Sequence, residues 1–210
     1  MSKAAIDPIR PTDDDARGLA RRLLRAARSG SLATLGADGQ PLASLVATAT
    51  DSDGTPLILV SALSGHTANL SADPRCSLLL AQAGRGDPLA HPRISLICRA
   101  RRLERETPEG ERARRRFLAH QPKAALYADF PDFAFFRLEI GGISLNGGFG
   151  RAYAPTPDDL LTDLAGAEGL VDGEADALAA INAEHADAVA LCATGLLRGR
   201  AGAWRMTGLD

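Results

Sequence analysis

Short apolar runs separated by turn residues dominate the first 145 residues of the chain. Runs of aliphatic and β-branched side chains, bounded by Gly, Pro, Asp or Ser, predict strands at 31–35, 42–50, 57–62, 76–81, 94–103 and 133–145. Asp38-Gly39 and Asp53-Gly54 predict tight hairpins between the first three strands. About six short antiparallel strands with few helices favour a small barrel over a parallel sheet. The predicted fold class is therefore mainly β with flanking helices, an α+β protein.

Three stretches depart from this pattern and predict helices. Residues 12–28 begin with acidic residues and carry leucines on one helical face. Residues 108–119 begin at a proline, which suits the first position of a helix. The composition changes at 155–157, beyond which the chain is acidic and alanine-rich with apolar residues near helical spacing. We therefore predict a barrel domain over 12–155 and a helical C-terminal appendage over 156–210.

Composition narrows the functional classes. The 210 residues are 45% hydrophobic and 24% charged, as in soluble globular proteins, and the net charge of −2 favours neither nucleic acid nor an anionic membrane as a partner. The N-terminus lacks an apolar core of signal-peptide length and no run approaches a membrane span, so the expected location is cytoplasmic. Cys76, Cys98 and Cys192 are widely spaced and the four histidines form no ligand pattern, so we predict neither a disulfide framework nor a metal site.

Four arginines lie close together in the predicted helix at 108–119, which suggests nucleic-acid binding as an alternative function. Glutamates surround them, no aromatic residues interleave, and the chain is net acidic. A salt-bridged, solvated helix face is the favoured interpretation. The arginines concerned are Arg112, Arg114, Arg115 and Arg116.

A dense cluster of small hydrogen-bonding residues follows the strand at 57–62. Ser64, Thr67 and Asn69 carry short donors and acceptors, Gly65 permits close backbone approach, and His66 adds a titratable donor. A strand that leads such a cluster into a helix suits a phosphate, because the first N–H groups of a helix have no internal partner. An ordinary capped turn favours the same residues and is the alternative.

A glycine-rich segment follows the last predicted strand. Residues 146–153 contain three glycines in eight positions, which permits close approach of a ligand or another backbone. Phe149 and Tyr153 offer flat surfaces and Arg151 offers a cation, a combination that suits a planar dianion such as haem. A sharp turn that directs the chain out of the barrel is the alternative.

Four motifs occur in a fixed order along the chain. They are Ser61-Ala-Leu-Ser-Gly-His-Thr-Ala-Asn-Leu70, Asp73-Pro-Arg-Cys-Ser-Leu-Leu79, Gly86-Asp-Pro-Leu-Ala-His-Pro-Arg93 and Asn146-Gly-Gly-Phe-Gly-Arg-Ala152. Together they resemble the haem-utilisation (Hug-type) branch of the pyridoxamine 5'-phosphate oxidase-like FMN-binding split-barrel family. The resemblance implies an FMN-binding split β-barrel with FMN as cofactor and haem as a further ligand.

The resemblance also implies a homodimer whose cofactor site lies in a groove at the subunit interface. Arg93 either contacts the flavin there or is a solvated residue at a strand end. The FMN contacts implied are Ser44, Leu45, Val46, Ser61, Ala62, Ser64, His66, Thr67, Asn69 and Arg93. The implied contacts to haem or a second ligand are Asn146, Gly148, Arg151 and His185. Because the last strand carries Phe133, Phe135 and Phe136, we expect at least one of these rings at a subunit contact.

The C-terminal region resembles the start of the family's haem-associated module. That module normally continues further, so we expect haem binding, where it occurs, to be weaker than in longer relatives. His185 is either a helix-packing residue or an iron ligand.

Two functional classes remain open. The first is an enzyme, either an FMN-dependent oxidoreductase or a haem-degrading protein, with its catalytic residues unidentified. The second is a non-catalytic carrier of haem or another tetrapyrrole. Pyridoxamine-phosphate oxidase activity is disfavoured, because Trp204 is the only tryptophan and that enzyme's aromatic- and arginine-rich C-terminal motif does not match. Neither nucleic acid nor a membrane is an expected partner.

Overall fold

The computed structural model describes residues 9–209. The chain divides into two compact units, unit 1 ending at Thr162 and unit 2 beginning at Asp163. Unit 1 contains β1 (Ile9–Arg10), α1 (Asp14–Ala26), β2 (Ser29–Leu35), β3 (Pro41–Thr50), β4 (Pro56–Ser61), α2 (Gly65–Ala72), β5 (Arg75–Ala81), β6 (Arg93–Arg102), α3 (Pro108–His120), β7 (Phe133–Asn146), β8 (Ala152–Tyr153) and α4 (Pro157–Leu160). Unit 2 contains α5 (Glu168–Glu184) and α6 (Ala186–Leu191).

Six strands close into a barrel. The antiparallel pairings run β2–β3, β3–β4, β4–β7, β7–β6, β6–β5 and β5–β2, which returns to the first strand. The predicted small barrel is confirmed, and its six strands lie within two residues of the predicted bounds. The sequence analysis missed β1 and β8, which pair in parallel and have two residues each, too few to show an alternation.

Inward side chains of every barrel strand form one core. The core includes Leu32, Val46, Ile58, Leu78, Leu96, Leu138 and Leu145. Helices α1 and α2 both add to this core, through residues such as Leu24 and Leu70. Helix α1 begins where Asp13 accepts a hydrogen bond from the Ala16 amide at 2.8 Å, a side-chain cap that sets the start of the helix.

The two helices lie at opposite ends of the barrel. Helix α1 leads into the start of β2, whereas α2 connects the end of β4 to the start of β5. The register pairs Thr34, near the end of β2, with Cys76, near the start of β5. The end of the barrel next to α2 therefore contains the last residues of β2 and the first residues of β5. The end of the barrel next to α1 contains the last residues of β5 and β7.

Helix α3 covers part of the barrel's outer surface. Phe117 packs edge-to-face on Phe135, with ring centroids 5.5 Å apart, within a second core. Phe136 points the other way, into the barrel. This chain buries the rings of Phe135 and Phe136 itself, so of the three rings only Phe133 remains for the expected subunit contact. Phe133 stacks against Tyr127 at 4.9 Å.

The arginines of α3 divide into exposed and buried groups. Arg114 forms an exposed salt bridge with Asp129 at 2.6 Å, as a solvated face predicts. The prediction is wrong for Arg116, which is buried and donates to the Thr50 carbonyl at 2.9 Å. Arg112 reaches Asp51, which is 1% exposed. The helix is therefore anchored to the β3–β4 turn by its own arginines.

Unit 2 is held together by side-chain to backbone hydrogen bonds. The Asn182 amide donates to the Met206 carbonyl at 3.0 Å, and its oxygen accepts from the Met206 amide at 2.8 Å. This pair ties α5 to the segment that follows α6. His185 lies at the break between α5 and α6 and its side chain is exposed.

Candidate functional site

The start of α2 has unsatisfied hydrogen-bonding capacity. Ser64 is the N-cap residue, and its carbonyl accepts from the Thr67 and Ala68 amides, so Gly65 and His66 carry the first amides without an intrahelical acceptor. The Thr67 side chain is 8% exposed, and its Oγ1 has no hydrogen-bond partner among residues 9–209. A buried hydroxyl without a partner costs free energy, so Thr67 Oγ1 and the first two amides are the unsatisfied donors at this helix end.

The serines before α2 are already engaged. Ser61 Oγ donates to an Asp132 carboxylate oxygen at 2.7 Å and accepts from the Leu63 amide at 3.1 Å. Ser64 Oγ donates to the Ser61 carbonyl at 2.7 Å. Ala62 is exposed, and its amide donates to the Asp132 carbonyl. The Asp132 carboxylate opposes an anion beside Ser61, so Thr67 and the first helical amides are the stronger donors of the group.

His66 and Asn69 are three residues apart on α2 and therefore lie near the same face of the helix. Partial burial lowers the pKa of His66 below its ordinary value, which favours a neutral ring at pH 7. Asn69 donates to Thr34 Oγ1 at 3.0 Å and thereby fastens α2 to the end of β2. Its amide group is occupied by this structural contact.

The three residues predicted on β3 point in alternating directions. Val46 is buried in the barrel core, and Ser44 is half-buried on the same side of the strand. Leu45 points outward and is 77% exposed. A planar ligand on the outside of the barrel would therefore meet the side chain of Leu45 and the backbone of its two neighbours.

The two motifs that contain Arg93 and Gly148 come together at the α1 end of the barrel. Arg93 pairs with Asn146 in the β6–β7 register. Gly148 has a φ of +104° and approaches so closely that a Cβ there would lie 2.8 Å from the Ala90 carbonyl oxygen. Arg151 donates to the Gly147 carbonyl and so closes its own turn. The loop before β6 and the turn after β7 therefore form one cluster.

This cluster is separated from α2 by the height of the barrel. On β6, Arg93 pairs with Ala81 at the α1 end, and Arg99 pairs with Arg75 at the α2 end. Six residues at about 3.4 Å each place the two ends roughly 20 Å apart. Within one copy of the chain, Arg93 and Thr67 therefore cannot contact the same phosphate.

The sequence analysis missed an uncharged patch on the outside of the barrel, which we call the open face. Two cross-strand rows span β3, β2, β5, β6 and β7, and every member points away from the core. The first row is Leu45, Ser31, Leu79, Ser95 and Ser144, and the second row is Ala43, Ala33, Ser77, Ile97 and Gly142. None of the ten residues is charged, and Leu45, Leu79 and Ile97 are 77%, 38% and 62% exposed.

Arginines border the open face on both sides. The next row toward the α1 end contains Arg93, and the next row toward the α2 end contains Arg75 and Arg99. Arg75 is engaged by Asp73 at 2.6 Å, and that hydrogen bond holds the pKa of Asp73 at about 2. The open face thus combines an uncharged centre with Arg93 at one edge and a mixed row of Arg75, Arg99 and Glu139 at the other.

The described part of the chain offers neither a metal-binding cluster nor a membrane-spanning helix. Among residues 9–209, no group of three His, Cys, Asp or Glu side chains could hold a metal ion. No helix in that range is both long and apolar enough to cross a bilayer.

Comparisons with known proteins agree with this architecture. Residues 11–160 match the family described as "CREG, beta-barrel". The chain is 35% identical over 121 residues to "Non-canonical heme oxygenase HOZ, chloroplastic" from Arabidopsis thaliana, an alignment that covers 57% of this chain and 36% of that protein. The chain thus spans little more than a third of the length of this curated relative.

Two solved structures resemble the chain over most of its length. The Agrobacterium tumefaciens str. C58 protein Atu2129, of unknown function, is 35% identical with a TM-score of 0.81, over 96% of this chain and 84% of that one. A heme binding protein from Mycobacterium smegmatis is 31% identical with a TM-score of 0.63, over 85% of this chain and 73% of that one.

Proposed function

The chain belongs to the CREG-type β-barrel family, and from this premise we propose that it serves haem utilisation by binding haem between two copies of unit 1. Relatives described as a haem oxygenase and a haem-binding protein support this choice of ligand. The observation that carries the proposal is the open face with its bordering arginines.

The open face has the shape and chemistry that a porphyrin requires. Neighbouring strands lie about 4.8 Å apart, so three adjacent strands of the curved sheet offer an uncharged strip roughly 10 Å wide against which a planar ring can pack. Haem carries two carboxylates, and Arg93 at one border can neutralise a propionate through a charge-assisted hydrogen bond. When bound, the haem would supply iron redox chemistry, and the residues of the open face would hold and orient the ring.

A second copy of the chain is proposed to cover the other face of the ring. The chain covers one part of the barrel's exterior with α3 and leaves the open face uncovered, although Leu45 and Ile97 are large apolar residues. Contiguous exposed apolar surface of this kind marks an interaction site. A homodimer would bury part of the open face on each copy and would enclose the ligand between the two copies.

Haemin titration followed at the Soret band tests the role of Arg93. We expect Arg93→Gln to weaken haemin binding about tenfold, because one charge-assisted hydrogen bond to a propionate is lost. Arg102→Gln, at the other end of the same strand, is the matched control and should bind haemin like the parent. Equal affinities for the parent and both variants would remove Arg93 from the site.

Haem turnover distinguishes the two functional classes that follow from this site. Addition of a reductant and oxygen to the haem complex should bleach the Soret band and release a linear tetrapyrrole if the protein degrades haem. An unchanged Soret band under the same conditions would identify a carrier.

FMN is the second candidate ligand, and the unpartnered Thr67 hydroxyl favours it. Together with the Gly65 and His66 amides, Thr67 could donate to a flavin phosphate at the start of α2. The groups at the start of α2 offer no surface for the flavin ring system. The isoalloxazine would therefore lie along the outward side of β3 near Leu45. A flavin-dependent oxidoreductase is the function that this second candidate implies.

Thr67→Val separates a binding role from a structural one. Removing an unsatisfied buried hydroxyl should raise the free energy of unfolding by about 1 kcal/mol. The same change should weaken FMN binding about tenfold, because a hydrogen bond to a charged phosphate is lost. Urea unfolding and flavin-fluorescence titration measure the two effects, with Ser71→Ala on the same helix as control. A stabilised variant with unchanged FMN affinity would contradict the phosphate assignment.

A further inference from the structure

A surface cavity of about 570 Å³, lined mostly by exposed residues, lies at the α1 end of the barrel beside the edge of the open face. Small side chains lie where α1 meets the ends of the strands, and they leave this space unfilled. Helix α1 ends at Ala26, and the backbone becomes extended at Ala27. The volume is within the range of small-molecule sites. The lining residues are Leu19, Arg22, Leu23, Ala26, Ala27, Arg28, Ser29, Ala81, Gln82 and Ala83.

The cavity is cationic without a counter-ion. Arg22 and Arg28 both line it, and no lining residue is acidic. Arg28 donates to the His120 carbonyl at 2.6 Å, a neutral acceptor that leaves its charge uncompensated. Within the part of the chain that the structure describes, neither arginine forms an ion pair, whereas Arg17 on the same helix pairs with both Asp14 and Asp159.

The remaining walls are mainly apolar. Leu19 and Leu23 from α1 face the alanines at the end of β5, with Ser29 and Gln82 as the uncharged polar groups. Two guanidinium groups on an apolar cavity favour a ligand with one anionic head and an apolar body. The C-terminus of α1 repels anions, so the favourable contacts to the anionic head group would come from the two arginines.

We propose that this cavity is a second ligand site and binds an organic carboxylate with an apolar body. The carboxylate would contact Arg22 and Arg28, and the apolar body would pack against Leu19, Leu23 and the alanines. The inference does not depend on haem or FMN binding elsewhere, because none of the lining residues belongs to the open face or to α2.

Fluorescence titration with dansyl-labelled undecanoic acid tests the site on the full chain. We expect saturable binding at one molecule per chain, weakened at least tenfold when Arg22→Gln and Arg28→Gln are combined. Ala83→Phe, which fills the cavity and keeps both arginines, should abolish binding. Arg102→Gln should bind like the parent, and the methyl ester of the probe should bind the parent and the double variant equally. Thermal melts verify that each variant is folded.

The proposal is overturned if the parent shows no saturable binding, or if the folded double variant binds the probe as tightly as the parent does. A free fatty acid and a tetrapyrrole side chain present the same carboxylate, so the variants are also titrated with haemin. Unchanged haemin affinity assigns the cavity to a free carboxylate, and a parallel loss assigns it to a carboxylate of the tetrapyrrole.

Discussion

Glutamate at both Leu45 and Ile97 is expected to disrupt the proposed dimer and to abolish haem binding. Both side chains point outward from the open face and are more than 60% exposed in one copy of the chain. An introduced carboxylate that the proposed subunit contact buries would have no partner, which costs several kcal/mol and weakens association by more than a hundredfold.

Light scattering at micromolar protein concentration measures the change. Leu126→Glu is the matched control, because Leu126 is equally exposed but lies outside the open face, in the segment after α3. A double variant that remains dimeric and still binds haem would show that the open face is neither the subunit contact nor the ligand site.

Asp51→Asn is expected to lower the free energy of unfolding by about 3–5 kcal/mol, the usual effect of breaking a buried ion pair. Asp51 accepts from Arg112 at 2.9 Å and from Arg137, and it also accepts from the Ser52 amide at 2.8 Å. The substitution leaves Arg112 without its buried carboxylate, whereas Arg137 loses one of its two and keeps Asp53. Urea unfolding measures the loss, and Asp129→Asn, in an exposed pair with Arg114, should cause a much smaller change.

The same carboxylate makes stability depend on pH. Burial raises the pKa of Asp51, but hydrogen bonds from Arg112 and the Ser52 amide and the charges of Arg112 and Arg137 outweigh it, so the pKa lies below its ordinary value. A depressed carboxyl pKa stabilises the fold above the unfolded-state pKa, about 4, and this contribution is lost as the pH falls through the folded value. The parent should therefore lose stability below pH 4 by a larger amount than Asp51→Asn does.

The barrel was predictable because its strands follow simple local rules. Strand β6, for example, alternates Ile94, Leu96 and Cys98 inward with polar or exposed residues outward. The Asp-Gly hairpins fixed which strands are neighbours along the chain. Closure between β6 and β7 is a long-range pairing that no local pattern encodes, and β1 and β8 are too short to show one.

The candidate sites were only partly predictable. The polar turn before α2 was recognised by residue type, yet sequence could not show that Asn69 and Ser61 are engaged by Thr34 and Asp132. The open face was missed because its members come from five strands and are ordinary Ala, Ser and Leu residues. The sequence analysis missed the role of Asp51, since its two arginine partners lie 61 and 86 residues away.

Size-exclusion chromatography of the haemin-treated protein, with light scattering and Soret absorbance recorded together, tests the central claim most directly. The account predicts that Soret absorbance co-elutes with a particle of twice the 22.0 kDa chain mass, and that Leu45→Glu combined with Ile97→Glu removes both signals. Haem that elutes with a monomer, or a dimer that retains no haem after saturation, would contradict it.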